Sequence, residues 1–213
     1  MPRVVVMARW PAPNRCKRRL ESDLQHHSGL LQAGECVMRI QRQLSIHTAR
    51  VLSLMEANGE IETTLAVSGL ELKAARRWGQ NLGLSDIQLQ GGGSLGCRIK
   101  RQLLSARHSK LSTLFIGTDL PDLNAVDLRS AIAHLQTKDL VIGPTDDGGY
   151  WLIGFGPSLI YRPQHWPLVG IPWGKANVLD VTMTQAKHNG LRTASIAQRS
   201  DLDRLTDLSR WQG

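Results

Sequence analysis

Aromatic residues are scarce: six Trp, two Tyr and two Phe make up 5% of the 213 residues. Readers of nucleic acid interleave basic residues with aromatics or carry a recognisable reading motif, and neither pattern occurs here. Cysteine is sparse too. Cys16, Cys36 and Cys97 include no CxxC and no Cys-His pair at zinc-finger spacing, which argues for reduced thiols in a reducing compartment rather than a disulfide framework. The histidines show no HExxH spacing, and no Gly-Lys-Ser/Thr completes a Walker A loop. Near the N-terminus the strongest apolar run, Val4-Val5-Val6-Met7-Ala8, is too short for a signal peptide or a membrane span. The expectation is a cytoplasmic protein that neither enters a membrane nor binds nucleic acid.

What is abundant is positive charge. Lys and Arg number 26 against 18 Asp and Glu, a net charge of +8. Such an excess attracts polyanions over long range, and with nucleic acid disfavoured, a phosphorylated small molecule is the first candidate. A hydrophobic fraction of 41% with 21% charged residues is ordinary globular composition. The length suits one domain over residues 1–213, large enough to hold a core without staples.

Along the chain, two periodicities alternate. Val37, Ile40, Leu44, Thr48, Val51 and Met55 recur at steps of three and four, one face of a long helix. Further helices are expected over 71–80, 95–108 and 125–136. Strands are expected over 3–8, 61–67, 86–90, 112–116, 140–142 and 150–155. The Pro-rich stretch 157–173 is the irregular segment, read as a lid or side flap. Strands alternating with helices predict an α/β fold, a mostly parallel sheet with helices on both faces.

In open parallel sheets, ligands bind outside the carboxyl ends of the strands. That rule selects the loops 9–19, 68–69, 91–98, 117–123 and 143–149, where the unusual residues of this sequence fall. Arg9 to Arg19 holds five cations and no acid, a phosphate cradle, since Arg forks onto phosphate oxygens and Lys meets them as a point charge. The competing reading is a solvated basic run. Asp119 follows an apolar strand, where a carboxylate suits Mg²⁺ or Mn²⁺ shared with substrate phosphates. Asp122 competes between that role and capping the next helix. In Gly143-Pro144-Thr145-Asp146-Asp147-Gly148-Gly149-Tyr150, two adjacent carboxylates repel unless a cation or substrate compensates them. Gly148 and Gly149 permit close approach of backbone to ligand, although Asp-Gly alone is also a hairpin signal.

Two literal motifs compete. Gly91 to Gly96 satisfies GxGxxG, a dinucleotide fingerprint of an NAD-dependent oxidoreductase. The overlapping Gly92-Gly93-Ser94-Leu95-Gly96 satisfies GxSxG, a nucleophile elbow to be served by His165 or His188. The first leaves the basic loop and the 143–149 acids without work, and an α/β-hydrolase places more chain and more strands before its nucleophile.

Taken together, Lys17-Arg18-Arg19-Leu20, Gly93-Ser94-Leu95-Gly96-Cys97-Arg98, Gly117-Thr118-Asp119-Leu120-Pro121-Asp122-Leu123 and the 143–150 stretch resemble the DUF2064 group of glycosyltransferase-like proteins. That group is related to 2-phospholactate guanylyltransferase and to the nucleotide-diphospho-sugar transferases. Ile171-Pro172-Trp173 and Asp201-Leu202-Asp203 fit the same pattern.

The resemblance implies a GT-A-like, Rossmann-like fold and a glycosyltransferase that passes sugar from a nucleotide sugar to a small-molecule acceptor. The runner-up it allows is nucleotidyl transfer from a nucleoside triphosphate, ahead of a non-catalytic nucleotide-binding regulator. Arg9, Lys17, Arg19, Gly93 and Arg98 would bind the nucleotide. Asp119 with Asp147 would hold Mg²⁺ or Mn²⁺, and Asp146 or Asp147 would act as base. Gly148, Gly149 and Trp173 would lie on the acceptor side. The chain departs from the group's pattern at Asn14 (for Gly), Arg18 (for Thr), and Ser94 and Cys97 (for acids).

Overall fold

A computed structural model describes residues 1–106 and 111–208. The strands β1 (Arg3–Arg9), β2 (Glu62–Ser68), β3 (Asp86–Leu89), β4 (Thr113–Ile116), β5 (Leu140–Pro144), β6 (Tyr150–Phe155) and β7 (Thr193–Ser195) form one sheet in the order β3-β2-β1-β4-β6-β5-β7. β1 runs parallel to β2 and β4, β2 to β3, and β5 to β7. Only β6 is antiparallel to its neighbours. The reason is its short link to β5, because a parallel return needs a crossover of about a dozen residues or more. The mostly parallel α/β sheet expected from the sequence is therefore present.

Alternation along the strands explains the layers. Val4, Val6 and Ala8 face one way, packing with Leu52 and Met55 of α2 (Ala33–Ala57), Trp78 of α3 (Leu72–Asn81) and Leu128 of α5 (Ala125–His134). Val5 and Phe115 face the other way, against Leu103 of α4 (Leu95–Ala106) and Ala186 of α7 (Val178–His188). A smaller cluster, including Leu20, Leu24, Val37 and Leu202, ties α1 (Arg18–Ser28) to α2 and to the C-terminal segment. Two short helices, α6 (Pro157–Ile160) and α8 (Leu205–Leu208), complete the set. Among the described residues no helix is long and apolar enough to cross a membrane.

Several boundaries differ from the sequence expectation. The helix expected over 95–108 ends at Ala106 in the described chain, and residues 107–110 lie outside the described residues. The basic stretch read as loop to Arg19 gives way to α1 at Arg18. That helix offers a weak apolar stripe, with Leu20 and Leu24 set among charged residues. The segment 157–173 holds α6 and a single 3-10 turn at Pro163–His165. Asp122 does not cap α5. Asn124 does, its side chain accepting from the amides of Val126 and Asp127.

Candidate functional site

All five loops selected by the strand-end rule open on one edge of the sheet. The chain order reverses there between β1 and β4, since β2 and β3 extend to one side of β1 and β4 lies on the other. Ligands in open α/β sheets bind at such a switch point. Two hollows flank it. A cleft of about 290 Å³ is lined by Asp119, Asp147 and Asp201 over an apolar floor that includes Met7 and Ile99. A pocket of about 390 Å³ is lined by Arg9, Arg15, Arg18 and Arg98 beside Trp10 and Ser68.

The basic loop is bent by two non-glycine residues in left-handed backbone, Asn14 (φ 59°) and Lys17 (φ 43°). Asn tolerates that region better than most residues. Lys17 does not, and its position is held by tertiary bonds. Its Nζ donates to Asp119 Oδ1 at 2.6 Å and to the carbonyl of Leu202. The Lys17 side chain is 3% exposed, so the ammonium is desolvated and must be paired. Arg19 forms an ion pair with Asp203 at 3.0 Å. Thus Lys17 and Arg19 meet carboxylates, whereas Arg9 and Arg98 meet Arg15 and Arg18 in the pocket. Arg98 is steered by neutral acceptors: Nε donates to the Gly93 carbonyl at 3.0 Å and Nη1 to Gln90 Oε1 at 3.1 Å. Gln90 is itself fixed, buried and donating to the carbonyls of Ala8 and Ala66.

The two adjacent acids part company. Asp147 lines the cleft, its Oδ1 accepting from Thr145 Oγ1 at 2.6 Å and from the Gly149 amide at 3.1 Å. Asp146 instead accepts from Gln198 Nε2 at 2.5 Å and from Ser200 Oγ. Gly148 (φ +82°) lies so close to the carbonyl of Ala176 that a Cβ would sit 1.8 Å from its oxygen. Its own carbonyl accepts from the Leu179 amide at 2.9 Å. Trp173 packs edge-on to Tyr150, ring centroids 6.2 Å apart, and against Gly96. The structure thus brings Asp119 and Asp147 to the cleft and Trp173 behind Tyr150.

Asp201 is the residue that sequence reasoning left out of the site. It reaches the cleft on the segment after β7, which is anchored loop by loop: Arg199 N to Pro144 O at 3.0 Å and Leu202 N to Asp119 O at 2.9 Å. Burial, then the charges of Asp147 and Asp119, push its carboxyl up to about 6. The signal was available in principle, because a strand at 193–195 would have added its own following loop to the strand-end rule.

The competing motifs fare differently. The GxGxxG loop follows β3, the edge strand, and not the switch point. Ser94 Oγ accepts from the Cys97 amide at 3.3 Å. His188 ends α7 on the approach to β7, and the His165 carbonyl accepts from the adjacent Asn189. Both histidines therefore lie by the amino ends of the strands, across the sheet from Ser94.

The donor set can be weighed for a divalent ion. Asp119, Asp147 and Asp201 are like charges around one cleft, which a cation would relieve. Among the described residues no three His, Cys, Asp or Glu side chains converge into a ligand set. A lining of this kind can offer a divalent ion one or two carboxylates, leaving phosphate oxygens and water to complete the shell of an ion such as Mg²⁺.

No curated protein matches the sequence. Among solved structures, the chain is similar to a Desulfovibrio desulfuricans G20 protein assigned to the nucleotide-diphospho-sugar transferases, with TM-score 0.81, 23% identity, and coverage of 99% of this chain and 85% of that one. It is also similar to a cytidylyltransferase from Leptospira borgpetersenii (TM-score 0.58, 12% identity, 99% and 84% coverage). A third is CMP:2-keto-3-deoxy-manno-octonic acid synthetase complexed with CTP (TM-score 0.55, 9% identity, 99% and 96% coverage). These likenesses show a shared α/β fold. The family model described as "Uncharacterized protein conserved in bacteria (DUF2064)" matches residues 51–175, a stretch that holds Arg98, Asp119, Asp147 and Trp173 but not the basic loop or Asp201. That stretch is more than half of the chain, and the protein belongs to the DUF2064 family.

Proposed function

We propose that the protein transfers a group from an activated nucleotide, with the phosphates lying across the β1–β4 switch point. One observation carries the reading: an arginine-lined pocket and a carboxylate-lined cleft open on that edge, and Lys17, which precedes Arg18 of the pocket, pairs with Asp119 of the cleft. The arginines suit phosphate oxygens. Asp119 and Asp147 would hold Mg²⁺ or Mn²⁺, which when bound would withdraw charge from the leaving phosphate. Lys17 and Arg19 would share that charge once released from their carboxylates. Asp147, kept in place by Thr145 and the Gly149 amide, would accept the proton of an acceptor hydroxyl. Asp146, held by Gln198 and Ser200, would instead fix the loop to the C-terminal segment.

The first form of the reaction is glycosyl transfer from a nucleoside-diphosphate sugar to a small acceptor. The second is nucleotidyl transfer from a nucleoside triphosphate to a phosphorylated acceptor, and the number of arginines in the pocket favours it. The products separate the two. With Mn²⁺ and water standing in for the acceptor, UDP- or GDP-sugars should release nucleoside diphosphate in the first case, and nucleoside triphosphates should release pyrophosphate and nucleoside monophosphate in the second. Release of neither, together with no stabilisation of the protein by any nucleotide, would remove the transferase reading.

A further inference from the structure

The carboxylate-lined cleft has an apolar interior that a nucleotide's phosphates and a metal ion leave without work. Met7, Phe115 and Ile153 enter its wall from the strands, and Leu95 and Ile99 from α4. Tyr150 lines it as well, but its hydroxyl oxygen is buried out of reach of solvent, so it contributes a ring surface and no donor. Leu95 is 40% exposed at the start of α4, leaving apolar surface for a ligand to cover. A concave, mostly apolar site with a few convergent polar groups is the usual form of a small-molecule pocket.

Charge narrows the ligand first. Among the described residues the cleft wall holds Asp119, Asp147 and Asp201 but no Lys, Arg or His. Lys17 is committed to Asp119. Three carboxylates and that one ammonium sum to minus two, which a divalent ion brings to zero. A ligand carrying its own phosphate or carboxylate therefore finds no counter-charge in the cleft, and like charges brought together disfavour it. Hydrogen bonding narrows it again. The Thr145 hydroxyl already donates to Asp147 at 2.6 Å, and a sugar-like ligand would bury several hydroxyls against apolar side chains. Each hydrogen bond left unmade costs about 1–3 kcal/mol. A single hydroxyl is served, because Asp147 can accept from it.

Size completes the description. The cleft holds about 290 Å³, and a cavity of about 150 Å³ lined by Leu, Ile and Phe takes up benzene, so one or two rings fit. We infer that the cleft binds the acceptor, and that the acceptor is an uncharged alcohol with an apolar body of one or two rings and a single hydroxyl directed to Asp147. In the transfer the hydroxyl oxygen forms the new bond to the transferred group and its proton passes to Asp147. The departing phosphate keeps the electron pair of the bond that breaks. The inference rests on the transferase reading above and names its acceptor class; in the second form of the reaction the acceptor is then not phosphorylated.

Calorimetric titration of the full chain in metal-free buffer with naphthylmethanol, naphthoate and glucose tests it. Naphthylmethanol should bind with a Kd below about 1 mM, and naphthoate, the same rings with a carboxylate, about tenfold or more weakly. Glucose should give no measurable binding. Leu95→Ser should weaken the alcohol about threefold or more at an unchanged thermal midpoint, since the side chain is exposed. Leu95→Arg should reverse the order of alcohol and carboxylate. With Mn²⁺ and a nucleotide that the protein hydrolyses, naphthylmethanol should speed release of the nucleotide product above the rate with water alone. Naphthoate or glucose binding as tightly as the alcohol would overturn the inference. So would no binding of the alcohol, affinity that Leu95→Ser leaves unchanged, or binding that slows release. The titrations contain no nucleotide, so their failure leaves the transferase reading standing; that reading falls only if no nucleotide is turned over or stabilises the protein.

Discussion

Lys17 Nζ lies 2.6 Å from Asp119 Oδ1, so the lysine that sequence reasoning assigns to phosphate is held by the aspartate it assigns to metal. Asp119 lines the cleft, and Lys17 is the chain neighbour of Arg18 in the arginine pocket. The pairing also sets a competition, because an ion and a phosphate chain arriving together must separate the pair and then satisfy each half.

Asp119→Asn tests that arrangement. The variant leaves a desolvated ammonium with the Leu202 carbonyl and a neutral amide in place of a carboxylate. Loss of one charged hydrogen bond costs about 1.5–3 kcal/mol, within the margin of a domain of this size, so the variant should still fold, at a lower denaturant midpoint. Stabilisation by nucleotide with Mn²⁺ should disappear. A variant that retains metal-dependent nucleotide binding would show Asp119 to be a structural anchor only.

Gly148→Ala and Gly92→Ala form a matched pair. At Gly148 the backbone is left-handed and the new methyl would meet the Ala176 carbonyl at 1.8 Å, whereas nothing lies within 4 Å of a Cβ at Gly92. The first should lose about 2 kcal/mol or more, through strain and the bond from the Leu179 amide. The second should stay within about 0.5 kcal/mol of the unaltered protein. Chemical denaturation of both checks the claim, and equal stabilities would refute it.

The carboxyl edge of the sheet was legible from the sequence because β1, β4 and β5 are largely apolar runs and a glycine or proline lies at or within two residues of the ends of β1 to β5. The pairing of side chains across that edge was not. Five cations in one loop look alike in sequence. Only the left-handed turn at Lys17 sends one ammonium to Asp119, and only the C-terminal segment supplies Asp203 to Arg19. Asp146 and Asp147 are equally indistinguishable until Gln198 and Ser200 claim the first. Asp201, matched only as part of the family pattern, was not placed in the site because β7 spans three residues, too few to show a period, and the site was sought only behind recognised strands.

At the opposite edge, Asp139 offers a pH test separate from the candidate site. Its buried carboxylate accepts from Arg192 Nε at 3.0 Å and from Ser158 Oγ at 2.8 Å. Those bonds, the Arg192 guanidinium foremost, hold it well below the usual carboxylate range. A depressed folded value means that the unfolded chain binds the proton first. The stabilisation is therefore complete above the ordinary carboxylate value, about 4, and lost as pH falls through and below it. Asp139→Asn should lower stability at pH 7 by about 1–3 kcal/mol and flatten the acid side of the stability profile. An unchanged profile would show that Arg192, whose side chain is 64% exposed, contributes nothing measurable.

Asp201→Asn should act in the opposite direction from the other substitutions. In the ligand-free protein this carboxylate is unfavourably placed, partly buried and facing Asp147 and Asp119. Asn keeps the shape while removing the charge, so the apo variant should be more stable than the unaltered protein at pH 8, by about 1 kcal/mol after allowing for solvent screening. The same substitution should weaken nucleotide binding in Mn²⁺ more than in its absence, since a charge retained at a cost to stability is expected where function needs it. Thermal midpoints with and without Mn²⁺ and nucleotide give all four corners of the comparison. A less stable apo variant, or equal weakening in both conditions, would assign Asp201 to holding the C-terminal segment in place and remove it from the site.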